Sequence, residues 1–351
     1  GAGGASGGPW DGSADITFTV FNPDDDTAYD ITAEEGPFAD TSARLRLRVA
    51  WSTDDYSNHD SGDENGQPFT IDALNDCKGG IDCVKNLDDS FTVTMSIEPP
   101  EITGDSIGVA MEGRARVDVD DDGSTNSIPI TSQIAYANAE DVSAEATPRR
   151  EIVSIDRCND CHGIVTAHGS NRTNNVQVCA TCHNPNATDE GINAASVDMK
   201  VMIHGIHASN ASFGDGADTF FEVTYPRPIN QCQACHLEGT WYPVEVPDDF
   251  RLASSTDLGL DVQDPEDDVN TTFNAAACGG CHVRLDNPDT PTDESLGNTT
   301  RAAHLMQNGS SFDVTQLIDG TLDPFTVESC TICHGPGRTA DVGVVHADGG
   351  E

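Results

Sequence analysis

Ten of the chain's twelve cysteines fall into five copies of one pattern, Cys-x-x-Cys-His. The copies are Cys158-Asn-Asp-Cys161-His162, Cys179-Ala-Thr-Cys182-His183, Cys232-Gln-Ala-Cys235-His236, Cys278-Gly-Gly-Cys281-His282 and Cys330-Thr-Ile-Cys333-His334. Two residues between the sulfurs let both reach the vinyl groups of one porphyrin, and the His that follows is delivered to its iron as proximal ligand. The competing chemistry is zinc, which paired Cys-x-x-Cys sites also bind. Zinc has no use for a His directly after the second Cys, and here one follows five times out of five. The pattern predicts five covalently bound c-type haems.

What fills the sixth position of each iron separates electron transfer from catalysis. Eleven His are present, of which five are the proximal candidates and His59 lies far upstream. The other five, His168, His204, His207, His304 and His346, share the motif-bearing half. The simplest count is five bis-His, six-coordinate haems with these as distal ligands; the bland alternative makes several of them surface His. Met is the competing ligand, but Met95 and Met111 lie in the wrong half, and Met199, Met202 and Met306 read more easily as helix packing. Val197, Val201, Met202 and Ile206 recur at helical spacing within residues 196–209, with Ser196 or Asp198 as cap. His204 and His207 are then i, i+3 neighbours on one face. A second helix is expected from Thr299 to Asn308, carrying His304 and stopping at Gly309. If every iron is saturated, no substrate coordinates, and bis-His ligation gives lower potentials than His/Met.

The elements that must position these groups divide the chain in two. Residues 147–351 hold all five motifs, and so few residues per haem leave the macrocycles as the interior, wrapped by turns and short helices. Residues 1–146 carry no motif and read as a β domain. Ala43–Trp51 alternates strictly, with Leu45, Leu47, Val49 and Trp51 on one face and Arg44, Arg46 and Arg48 on the other. Ile16–Phe21, Phe91–Ile97, Ser106–Met111, Arg114–Asp120 and Ile128–Tyr136 alternate similarly between turn residues, which predicts a sandwich or small barrel. The Arg stripe reads as a solvated face paired with nearby acids, with partner binding as the sharper alternative. Cys77 and Cys83 are expected to form a disulfide, because c-type haem attachment happens outside the cytoplasm, where disulfides persist. That bond is read as a loop staple, with a redox-labile switch as the alternative. Asp118, Asp120 and Asp122 before Gly123 resemble the opening of a calcium loop, but Pro129 stands where an EF-hand needs Glu. The choice there is between a simpler calcium site and a plain acidic hairpin.

Composition bounds the partners. The 351 residues carry 17 Lys+Arg against 60 Asp+Glu, a formal net charge of −43, and only 36% are hydrophobic. Such acidity argues against nucleic acid and anionic membrane surfaces, and suits a basic partner or a salty medium. No apolar run is long enough to span a bilayer, so no transmembrane segment is expected. Gly1–Gly8 reads as a mature amino terminus or flexible lead, without a Cys for a lipid anchor.

One resemblance adds to this. Pro148-Arg149-Arg150 leading to the first motif, His168-Gly169, Cys182-His183-Asn184-Pro185, Met202-Ile203-His204-Gly-Ile-His207, Tyr225-Pro226, and His334-Gly335-Pro336-Gly337-Arg338 running on to His346 resemble the outer-membrane decahaem cytochromes of metal-respiring bacteria, the OmcA/MtrC family. The match spans most of residues 148–346. It implies a split-barrel β domain followed by a pentahaem domain, and the same distal His assignment that counting suggests. It also implies a place on the outer cell surface and electron delivery to minerals, flavins, electrodes or redox partner proteins; a periplasmic place is the lesser expectation. Against the family's two β domains and ten haems, this chain has one β module and five motifs. Three functions follow: an extracellular electron carrier, a protomer of a polymeric cytochrome filament, and a reductase with an open haem. The filament reading rests on half-length, on the Gly-rich lead packing against a neighbour, and on His59 binding metal at a junction.

Overall fold

The computed structural model describes residues 9–51, 53, 56, 66–97, 106–189, 195–213, 218–220, 222–241, 254–257, 268–282, 284–285, 296–297, 299–310, 317–318, 321–322 and 328–347. The Gly-rich lead and His59 lie outside the described residues. The chain forms two compact units: one takes in 1–61, 67–150 and 158–181, the other 62–66, 151–157 and 182–351.

The first unit is built on two antiparallel sheets. Strands β1 (Ser13–Phe18), β5 (Phe91–Ser96) and β4 (Cys83–Lys85) form one, in the order β1-β5-β4. The other orders β3 (Phe69–Ile71), β2 (Arg44–Trp51), β6 (Ser106–Val117) and β7 (Asn126–Pro129), with β8 (Gln133–Asn138) also on β6. Phe18 pairs with Phe91 across the first sheet, and Arg44 to Trp51 run against Arg114 to Ile107 across the second. The period-2 pattern works as read. Leu45, Leu47, Val49 and Trp51 are buried and meet Ile16, Phe18, Phe91 and Val93 in one core, sealed by the Trp10–Trp51 and Phe18–Phe91 ring contacts at 6.0 Å. The amino-terminal part is therefore mostly β, built on two antiparallel sheets that share one core.

Three boundaries differ from the reading of the sequence. Ser106–Met111 and Arg114–Asp120 are one 12-residue strand. The intervening Gly113 is not a turn: a Cβ there would lie 2.4 Å from the Arg44 carbonyl oxygen, so glycine lets two strands pass closely. Ile128–Tyr136 is instead two strands, β7 ending at Pro129, which has no N–H for a ladder. The strand expected at Ile16–Phe21 is Ser13–Phe18. Helix α1 (Ala73–Gly79), capped by Asp72 and stopped by Gly80 at φ 64°, was not foreseen. The Cys77–Cys83 bond joins it to β4, with Cα atoms 4.8 Å apart.

The rest is loop-rich with short helices: α2 (Ile155–His162), α3 (Val176–Cys182), α4 (Met199–His207), α5 (Phe273–His282), α6 (Thr299–Gln307), α7 (Thr331–His334) and α8 (Val342–Ala347). Between α2 and α3 a small hairpin pairs β9 (Thr166–Ala167) with β10 (Arg172–Thr173). Among the described residues beyond 182, the only buried apolar side chains are Ala187, Ala211, Ala275 and Ala276. Alanines alone cannot drive collapse of such a unit by the hydrophobic effect.

Candidate functional site

Four of the five motifs sit at the end of a short helix: α2, α3, α5 and α7. The third lies on a 3₁₀ turn over Cys232–Ala234. One helical turn places the two sulfurs at i and i+3 on the same side, with the His next in line. Among the described residues the Cys pairs do not converge into a zinc-type group; the only cluster of three ligand-type side chains is Asp118, Asp120 and Asp122. Burial pushes the Cys278 thiol up to about 12, aided by the neighbouring Cys330 and Glu328. Burial also raises Cys232, Cys281 and Cys330.

The proximal and distal candidates meet in pairs. His204 and His236 have ring centres 6.1 Å apart with planes at 24°. His282 and His346 are 6.2 Å apart at 82°, and His304 and His334 are 6.0 Å apart at 79°. Each pair joins one motif His with one spare His. A single metal bound by both imidazoles at about 2 Å from each nitrogen puts ring centres about 6 Å apart. These pairs therefore have room for one iron and little more.

The second ring nitrogens are also set. Nδ1 of His183 donates to Val197 O (2.8 Å), His334 to Ala340 O (2.9 Å), His207 to Ile203 O (2.9 Å) and His346 to Val342 O (3.0 Å). A carbonyl on Nδ1 fixes the tautomer that leaves Nε2 with a lone pair for a metal. In the His204–His236 pair, both Nδ1 atoms are buried. Burial first, then the facing His204, drops the His236 pKa to about 4; burial likewise lowers His204. Both are thus held neutral, the form that binds metal.

The helices that carry the spare His are stopped firmly. Asp198 caps α4 by accepting from Lys200 N, and Ser209 (φ 56°) ends it with Asn210 N bonded to Gly205 O. Gly309 (φ 92°) ends α6 in the same way, with Ser310 N on Leu305 O. Helix α5 crosses α4 at two glycines: a Cβ on Gly280 would lie 2.9 Å from both Gly205 N and His204 Cβ. Glu328, two residues before the fifth motif, accepts from Asn274 N (2.7 Å) and Ala275 N (3.0 Å) at the start of α5. It also accepts from Thr272 Oγ1, Asn274 Nδ2 and Ser310 Oγ. In the third motif, Arg157 donates to the carbonyls of Gln233 and His236. Sequence reasoning missed Gly280, Glu328 and Arg157; the only signal was the Gly-Gly pair inside the fourth motif.

His168 sits at the tip of the β9–β10 hairpin, exposed and at φ 53°. The Arg stripe is only partly solvated. Arg48 pairs with the buried Glu112 at 3.0 Å, Arg46 lies 3.9 Å from Asp72, and Arg44 donates to the Thr41 and Ala43 carbonyls. In the acidic turn, Asp118 accepts from Asp122 N and Gly123 N, and Asp122 from Ser124 N. Its carboxylates thus serve the turn itself.

Large apolar side chains left exposed gather beside the ligand set: Ile164 after His162, Met306 after His304, Ile332 between Cys330 and Cys333, and Val344 and Val345 before His346. The donor set, the paired rings and the exposed apolar side chains beside the motifs in sequence fit haem.

Residues 150–347 match the family of outer membrane cytochromes, MtrC/MtrF-like, domains II/IV. This chain belongs to that family. Two solved structures are similar in fold. The outer membrane decahaem cytochrome OmcA matches with a TM-score of 0.58 and 16% identity, over 98% of this chain and 48% of that one. MtrC from Shewanella baltica OS185 matches with a TM-score of 0.58 and 16% identity, over 93% of this chain and 50% of that one. The chain thus spans about half the length of these relatives. A comparison with curated proteins finds no match. No helix among the described residues is long and apolar enough to cross a membrane.

Proposed function

We propose that this chain is an exported electron carrier of the outer cell surface, in which five c-type haems, each held by two Cys and two His, pass electrons to an external acceptor or redox partner. The observation that carries it is the pairing of a motif His with a spare His at 6.0–6.2 Å three times over. The haems supply reversible one-electron chemistry at iron. The chain's own residues do the rest. Cys158/Cys161, Cys179/Cys182, Cys232/Cys235, Cys278/Cys281 and Cys330/Cys333 hold the porphyrin edges. His236 and His204 ligate one iron, His282 and His346 a second, and His334 and His304 a third. His162 and His183 take the two remaining proximal places, with His168 and His207 as their distal partners. The carbonyls on Nδ1 keep the imidazoles oriented and neutral. The domain division proposed is a β module through residue 146 and a pentahaem module from 147.

The test is carbon monoxide on the reduced protein, with haem counted by intact mass. Five haem additions and an unchanged Soret band are expected; a stoichiometric CO adduct would mean an open iron and the reductase reading. His204→Ala should open one iron and bind about one CO per protein. An unchanged spectrum in that variant removes His204 from the ligand set.

A further inference from the structure

Glu112 lies on β6 and is only 2% exposed, yet it faces two guanidinium groups. Arg48 of β2 donates to it at 3.0 Å, and Arg172 of the β9–β10 hairpin donates through Nε at 2.5 Å and Nη2 at 3.2 Å. Three further contacts seat the same hairpin on the sheet. Gly113 N donates to Asn171 O (2.8 Å), Arg114 Nη1 to Gly169 O (2.6 Å), and Ser132 N to Thr173 O (2.9 Å). The hairpin tip carries His168, Gly169 and Ser170, all at positive φ (53°, 66° and 68°). Left-handed backbone at His and Ser costs about 1 kcal/mol each; within the hairpin Asn171 Nδ2 donates to His168 O at 2.7 Å, and the contacts to the sheet add to that hold. A buried Arg–Glu–Arg group is also a poor stabiliser, since apolar residues of similar volume often do as well. What it does provide is a fixed register between sheet and hairpin.

We infer that Glu112 is a positioning residue for the sixth iron ligand His168: through Arg172 it locks the hairpin whose tip presents that imidazole. The β module then has a part in haem ligation. This rests on the proposed reading of His168 as a ligand, and the test separates the two. The holoprotein, reduced, is titrated with CO in three variants, with covalent haem counted by mass. His168→Ala should bind about one CO per protein. Glu112→Gln should bind a large share of that one equivalent with all five haems attached. Gly169→Ala should do the same without touching the core: its new Cβ meets Arg114 Nη1 at 2.9 Å on a backbone at φ 66°. A role in stability alone would lower the melting temperature of Glu112→Gln and leave CO binding absent. If both Glu112→Gln and Gly169→Ala stay inert while His168→Ala binds CO, the positioning role is wrong. If His168→Ala is also inert, His168 is not a ligand, and this inference falls with that assignment.

Discussion

Glu328→Ala should destabilise the haem-bearing unit by about 3 kcal/mol. Five donors converge on this side chain from two places, Thr272, Asn274 and Ala275 at the head of α5 and Ser310 just past α6, while Glu328 itself stands two residues before Cys330. Two of those donors are orphan N–H groups of a helix terminus, where a negative charge also meets the positive end of the helix dipole. Hydrogen bonds to a charged acceptor are worth about 1.5–3 kcal/mol each but do not add when they share one partner. Because α5 carries Cys278, Cys281 and His282, and α6 carries His304, the damage should spread to the fourth and fifth motifs together. Chemical denaturation should show the lower midpoint. Glu328→Gln should fall between, since an amide has one acceptor oxygen and two hydrogens that oppose donors already present. A midpoint within 0.5 kcal/mol of the parent would show that water replaces the carboxylate without cost.

On the proposed ligation, Gly280→Ala should open the iron between His204 and His236, although Gly280 belongs to another Cys-x-x-Cys-His motif. The added methyl would stand 2.9 Å from Gly205 N and from His204 Cβ, and 3.2 Å from the His204 carbonyl carbon. All three atoms belong to or sit on helix backbone, so the contact cannot be relieved by a rotamer change. Overpacking of this kind costs about 1–3 kcal/mol and is relieved by parting the helices. The Asn210 Nδ2 bond to Gly280 O, 3.1 Å long, should be lost with it. The readout is about one CO bound per reduced protein, in a variant that still carries five haems. No CO uptake would mean that α4 and α5 part while His204 keeps its place.

Much of this was legible from local spacing. The five motifs, the helices bearing His204, His207 and His304, and the core face of β2 all follow from residues within a turn or two of one another. Asp198 starts a helix and Gly309 stops one where their chemistry says they should. What could not be read is whatever depends on residues far apart meeting. Gly113 looks like punctuation until the Arg44 carbonyl is seen beside it. Gly280 looks like motif filler until α4 lies across it. Glu328 and Glu112 are two acids among 60 Asp and Glu, and only their donors set them apart. The matching of His204 with His236, His346 with His282 and His304 with His334 joins residues with no common periodicity. Counting gave the number of partners but not the partnership.

The ring planes of those pairs have a spectroscopic consequence. If these pairs ligate iron as proposed, near-parallel imidazoles, as for His204 and His236 at 24°, would split the two iron d orbitals that point toward the ligand π systems. Near-perpendicular ones, as for His282 with His346 and His304 with His334, leave those orbitals almost equal in energy. The oxidised protein should then give electron paramagnetic resonance signals of two kinds. One iron should show an ordinary three-line rhombic spectrum, and two should show a single broad feature at low field. The iron proposed between His204 and His236 would then be distinguishable from the other two without mutation, giving it a label of its own when electrons are added one at a time.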